Sequence, residues 1–204
     1  EIPFADHGAM LDPPTVDVTG RILWFLGLLR FDREHPQVKR AIDFIKSEQE
    51  HDGCWYGRWG VNYIYGTFLV LNGLGSIGED MTQDFACRAV DWILSHQNAD
   101  GGWGETCDSY AKPHLRGQGN STASQTAWGL TSLLYLVPPT DPAVQRAVAW
   151  LCDNQLAHDK PPFTPAQNAD PGAMNADWQR LAPTDFVWDY KGGWNEHHFT
   201  GTGF

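Results

Sequence analysis

Apolar positions along this chain recur in two alternating patterns. In the first, a single apolar stripe runs through an otherwise polar segment: Val38, Ala41, Ile42 and Ile45; then Ala86, Ala89, Val90 and Ile93; then Val144, Ala147, Val148 and Leu151. Spacings of three and four return to one face of a helix, so each set predicts an amphipathic helix with one buried side. In the second pattern the segments are more apolar, over residues 18–29 ("VTGRILWFLGLL"), roughly 63–74 ("YIYGTFLVLNGL") and roughly 122–136 ("TASQTAWGLTSLLYL"). These read as the helices of a second layer behind the outer ones. Their Gly, Ser and Thr content suits close packing and lowers intrinsic helicity, so tertiary contacts must hold them. Pro36 and Pro142 suit a first helical turn, and Asp141 is placed to cap the helix that follows. No strand pattern of comparable length competes. The expected fold is all-α, a stack of helical hairpins in which none buries its apolar face without its neighbours.

The outer segments also repeat one another. "VKRAIDFIKSEQEHDGCW" aligns with "ACRAVDWILSHQNADGGW" and, more loosely, with "VQRAVAWLCDNQ". Two copies continue as Gln-x-x-x-Gly-x-Trp: Gln49, Gly53 and Trp55, and Gln97, Gly101 and Trp103. A Gln at the end of an outer helix can offer its carboxamide to unpaired backbone groups at a nearby helix end, with the Gly permitting the turn and the Trp covering it. The third copy breaks off. After Gln155, residues 156–191 intervene before Gly192, Gly193 and Trp194, and their Pro, Ala, Asp and Asn content reads as an inserted loop.

Composition narrows the class. At 204 residues and 42% apolar content the chain can bury a core, as one domain or a piece of a larger one. A formal charge of -11 argues against nucleic acid, which needs clustered Lys and Arg. Cys54, Cys87, Cys107 and Cys152 form no C-x-x-C pair, which speaks against a zinc site and for reduced, buried thiols. No stretch of about 20 apolar residues is present to span a bilayer. The chain starts at Glu1 and stops at "FTGTGF", and both ends read as cut from a longer sequence.

Set beside one another, the Gln-Trp repeats, "DGCWYGRWGVNYIYGT", "DGGWGETCDSY", "STASQTAWGL", the final "FTGTGF" and "IPFADHGAMLDPPTVDVTGR" resemble the C-terminal portion of bacterial squalene–hopene cyclases. The likeness runs over residues 1–204 apart from the 156–191 segment. It implies an α/α barrel, or toroid, closed over an apolar cavity in which protonated squalene cyclises through carbocations. Such chemistry needs a strong acid, a wall that tolerates moving positive charge, and exclusion of water. Aromatic faces supply the second, because they attract cations without offering a lone pair that would trap them.

By position in the matching motifs, the resemblance makes Trp59, Tyr65 and Phe204 cavity-lining aromatics, and puts Phe4 and Ala5 at a constriction between cavity and membrane. His7 departs from the aromatic that some members carry there. Asp17 and Arg21, four apart, share a helix face and could pair; in "VDVTGR" they match positions behind the catalytic acid. Some relatives carry His in place of Arg21, and since Arg keeps its proton, this chain retains charge and orientation there rather than a proton relay. The family's Asp-x-Asp-Asp acid motif has no counterpart here, and the acid is expected upstream of Glu1. No metal or organic cofactor is implied. The implied substrate is squalene or a related linear isoprenoid, with peripheral attachment to the cytoplasmic side of the membrane, and a homodimer is left open. Two other readings stand beside this one: a non-catalytic helical-repeat module binding an isoprenoid or a protein, and a related cyclase acting on another polyprene.

Overall fold

The computed structural model describes residues 13–155. Its elements are α1 (Val16–Leu28), α2 (Pro36–Ser47), α3 (Tyr63–Ser76), α4 (Asp84–Ser95), the single turn α5 (Asp108–Ala111), a 3-10 turn (Pro113–Leu115), α6 (Ala123–Leu133) and α7 (Pro142–Asp153). The described residues are helical, with no strand among them. Helices α1, α3 and α6 form the inner layer, with α3 packed between the other two, and α2, α4 and α7 lie outside them. This is the helical-hairpin architecture of an α/α barrel.

The two sequence patterns separate the two layers. Along α3, residues 63–67 and 69–74 are all buried, which only a helix covered on several sides allows. Outer helices α2 and α4 bury one stripe each: Val38, Ile42 and Ile45, with the expected Ala41 only half-buried, then Ala86, Ala89, Val90 and Ile93. The third stripe holds only in part. Val144 and Ala147 are buried, but Val148 is exposed and Leu151 half-buried. Likewise α1 buries Val16, Gly20 and Leu23 against α3 while Val18, Ile22, Phe25 and Leu28 stay exposed. Both departures share a cause: in a stack where each hairpin contacts only its neighbours, the first and last described helices have a partner on one side only. Asp141 caps α7 as expected, its carboxylate accepting from the Ala143 amide at 2.7 Å.

The two Gln-Trp copies fold into superimposable staples. Gln49 Nε2 donates to the carbonyls of Gly53 (2.7 Å) and Phe85 (2.8 Å), and Gln97 Nε2 to those of Gly101 (2.9 Å) and Ala143 (2.8 Å). Phe85 and Ala143 lie in the first turns of α4 and α7, so each Gln ties the end of one outer helix to the start of the next. Arg88 and Arg146, one turn further on, donate to the Oε1 of the same Gln side chains. The indole N–H adds a bond of its own: Trp55 and Trp103 each donate at 2.8 Å to a last-turn carbonyl of their own outer helix, Ile45 and Ile93. Both indoles are fully buried. Their backbone amides donate to Thr67 and Thr126 of the inner layer, at 3.0 Å in both copies. The Gly is obligatory. Gly53 and Gly101 have φ of 103° and 96°, and a Cβ there would stand 2.7 and 2.8 Å from the Arg88 and Arg146 carbonyl oxygens.

Candidate functional site

Between the first staple and α3 runs a short loop, residues 57–62, that carries Trp59. Gly57, Gly60, Val61 and Asn62 are buried, whereas Trp59 is 42% exposed. The loop has no ladder of its own, so side chains from four other segments satisfy its backbone groups. Asp17, in the first turn of α1, is fully buried; its Oδ2 accepts from the amides of Arg58 (2.9 Å) and Trp59 (2.8 Å), and its Oδ1 from Val18 (2.9 Å). From elsewhere in the fold, the Tyr110 hydroxyl donates to the Gly60 carbonyl at 2.7 Å and contacts the Arg58 carbonyl at 3.3 Å. Gln125 Nε2 donates to the Val61 carbonyl at 3.1 Å. Glu105 Oε2 accepts from the amides of Asn62 (3.2 Å) and Ile64 (3.0 Å), placing a carboxylate at the N-terminus of α3. Within the loop, Asn62 Oδ1 accepts from Gly57 N at 3.2 Å.

Tyr65, in the first turn of α3, is buried, and its hydroxyl accepts from Arg21 Nη2 at 2.9 Å. Its ring lies against Trp128 of α6, centroids 5.1 Å apart, and Trp128 in turn stacks on Phe68 at 6.1 Å. The Arg58 guanidinium stands 5.7 Å from the Trp59 ring, within cation–π range. Burial pushes the Tyr65 phenol above its ordinary range, with Arg21 opposing it, and burial does the same to Tyr110. Both hydroxyls therefore stay protonated and serve as hydrogen-bond groups. Burial also raises the Glu105 carboxyl, opposed by the amide donors it accepts from.

Asp17, Arg21, Trp59 and Tyr65 thus come together as one connected unit. The expected Asp17–Arg21 pair is replaced by two longer-range contacts: Asp17 turns to the 57–62 loop and Arg21 to Tyr65. The spacing of four is right, but two backbone amides outcompete a guanidinium for a buried carboxylate that is already well placed to accept them. Phe4, Ala5, His7, Phe204 and the 156–191 segment lie outside the described residues. Four site-forming residues were missed. Glu105 and Tyr110 sit in the quoted "DGGWGETCDSY" and Gln125 and Trp128 in "STASQTAWGL", yet nothing in either string marks a partner 40 or more positions away. Among the described residues no group of three or more His, Cys, Asp or Glu could hold a metal, and no helix is long and apolar enough to cross a membrane. The four cysteines are free thiols, but only Cys54 is buried as expected; Cys87 and Cys107 are half-buried and Cys152 is exposed.

The family model for the squalene-hopene cyclase C-terminal domain matches residues 1–164. The chain belongs to this squalene–hopene cyclase family. Among curated relatives of this cyclase-family chain, enfumafungin synthase of Hormonema carpetanum is 43% identical over the whole chain, and squalene–hopene cyclase of Zymomonas mobilis is 46% identical over 76% of it. The cyclase-family chain spans only 15% and 24% of the length of those two proteins. Among solved structures, ent-copalyl diphosphate synthase from Streptomyces platensis matches 70% of the chain and 26% of its own, with a TM-score of 0.53 at 26% identity. Squalene–hopene cyclases thus stand among its relatives, and an ent-copalyl diphosphate synthase shares its fold.

Proposed function

We propose that this chain forms part of the cavity wall of a cyclase that protonates squalene and folds it, through a cascade of carbocations, into pentacyclic hopanoid triterpenes. One observation carries the reading: Trp59, 42% exposed, stands on a loop whose amides are held by Asp17 of α1, the helix whose Arg21 contacts Tyr65 of α3, so aromatic residues and charge are fixed to the same inner layer. In that cascade the acid transfers a proton to a terminal alkene, each new carbon–carbon bond moves the positive charge along the chain, and loss of a proton or capture of water ends it. Trp59 and Tyr65, with Phe204, stabilise the travelling cation through their ring faces, a contribution of about 2 kcal/mol each when desolvated. Asp17 and Arg21 support the acid, which a part of the protein other than these 204 residues supplies, since no Asp-x-Asp-Asp occurs among them. Phe4 and Ala5 line the entry for an apolar substrate drawn from the membrane, at whose cytoplasmic face the protein docks peripherally.

A second reading is a related cyclase acting on another polyprene; a relative named for a different product, enfumafungin synthase, means that likeness of this wall does not by itself fix what is cyclised. Incubating the full-length protein with squalene and separating the extracted lipids by gas chromatography distinguishes them. Pentacyclic hopanoids are the expected product. Unconverted squalene, alongside conversion of another polyprene, would replace the first reading by the second.

A further inference from the structure

The peptide that carries Trp59 is gripped from two sides. Asp17 takes the amides of residues 58 and 59, and Tyr110 reaches the carbonyls of 58 and 60. The two grips share the peptide unit that joins Arg58 to Trp59, Asp17 holding its amide and Tyr110 its carbonyl, and Tyr110 also holds the unit after Gly60, so removing either frees one edge of the shared peptide. Tyr110 is itself fixed: it belongs to the short α5 turn, and its ring meets Tyr56 edge-on at 5.8 Å, while Tyr56 meets Tyr63 of α3 at 5.6 Å. The α5 segment is anchored in turn through Arg116, whose guanidinium lies 3.2 Å from both Asp52 oxygens and 4.6 Å from the Tyr63 ring. The hydroxyl is therefore aimed by a braced ring and not by a free side chain.

From this we infer that Tyr110 is a positioning residue that sets where the Trp59 ring stands, and with it the stage of the cascade that Trp59 stabilises. The inference rests on the reading of Trp59 as a cation-facing aromatic. Near-attack geometry tolerates little displacement, and a ring shifted by a fraction of an ångström toward or away from one cation redistributes products between continued cyclisation and early proton loss. Tyr110→Phe keeps the ring and its edge contact with Tyr56 and deletes only the hydroxyl, so the fold has little reason to fail.

Four full-length proteins test this: the parent, Trp59→Leu, Tyr110→Phe and the double variant, each incubated with squalene for product ratios and each melted for stability. The expected result is that Tyr110→Phe raises the fraction of products with fewer rings about fivefold, the population factor of one net hydrogen bond, in the direction Trp59→Leu takes. In the Trp59→Leu background the second change should add nothing, because it acts through a ring no longer there. A shift in Trp59→Leu with parental products from Tyr110→Phe would overturn the positioning role alone. So would an equal Tyr110→Phe shift in both backgrounds, since that shows an effect independent of Trp59. Parental products from Trp59→Leu itself would remove the reading of Trp59, and the inference with it.

Discussion

Replacing Asp17 by Asn changes one atom and should loosen the loop that presents Trp59. The carboxylate accepts three amide donors, two on Oδ2 and one on Oδ1, with no solvent exposure. An Asn can keep its oxygen toward Arg58 and Trp59, but its NH2 then faces the Val18 amide, donor against donor; turned round, it loses both loop amides instead. In the better case two bonds fall from charged to neutral strength, at about 1 kcal/mol each, and one buried donor is left unpaired at about 1 kcal/mol or more. The sum is roughly 3 kcal/mol, which corresponds to a little over a hundredfold in an opening equilibrium. Hydrogen exchange followed by mass spectrometry on the full-length protein reads this locally: the peptide covering residues 57–62 should lose about a hundredfold of protection in Asp17→Asn, while α4 peptides keep theirs. Protection of 57–62 unchanged within about threefold would refute the reasoning, because the amides would then be held by something other than the carboxylate.

Two further outcomes follow from the staples and the buried acid. Gly101→Ala must place a Cβ 2.8 Å from the Arg146 carbonyl at φ 96°, so it should destabilise the protein by about 2 kcal/mol or more, read as a lowered urea midpoint; a loss below about 0.5 kcal/mol would mean that the turn relaxes freely. The Glu105 carboxyl is raised by burial, so its stabilising contribution is complete below the unfolded-state value near 4.5 and is lost as pH climbs through the higher folded-state value. Melting temperatures of the parent should therefore fall relative to Glu105→Gln between pH 4.5 and 8, and the opposite slope would show that the amides of Asn62 and Ile64 outweigh burial.

The layers were legible because each has its own periodicity. A stripe of Ala86, Ala89, Val90 and Ile93 marks one covered face, and the more apolar run from Tyr63 to Leu74 marks a helix of the second layer, though not that it is covered on several sides. The Gln-x-x-x-Gly-x-Trp spacing likewise announced a repeated joint, though not all its wiring: nothing in it told that the indole N–H also ties down the outer helix that precedes it. Site wiring was far less legible. A spacing of four brought Asp17 and Arg21 to one face but carried no information about the 57–62 loop, whose amides win the carboxylate. Tyr110 and Glu105 act over 41 to 52 positions, and a single string holds no record of such meetings. The short α5 and 3-10 turns escaped notice too, since a single turn is too brief to show a period.

The central claim is that Trp59 faces a cation and does not merely fill space, and its exposure makes the test clean. Because Trp59 is 42% exposed, Trp59→Leu in the full-length protein removes the aromatic face with little effect on the packed core. The measurement is the ring-number distribution of the products formed from squalene, taken at a temperature where parent and variant are equally folded. A rise in products with fewer rings, released where the missing face leaves a cation unsupported, is the predicted result. An unchanged pentacyclic product from a fully folded variant would contradict the claim.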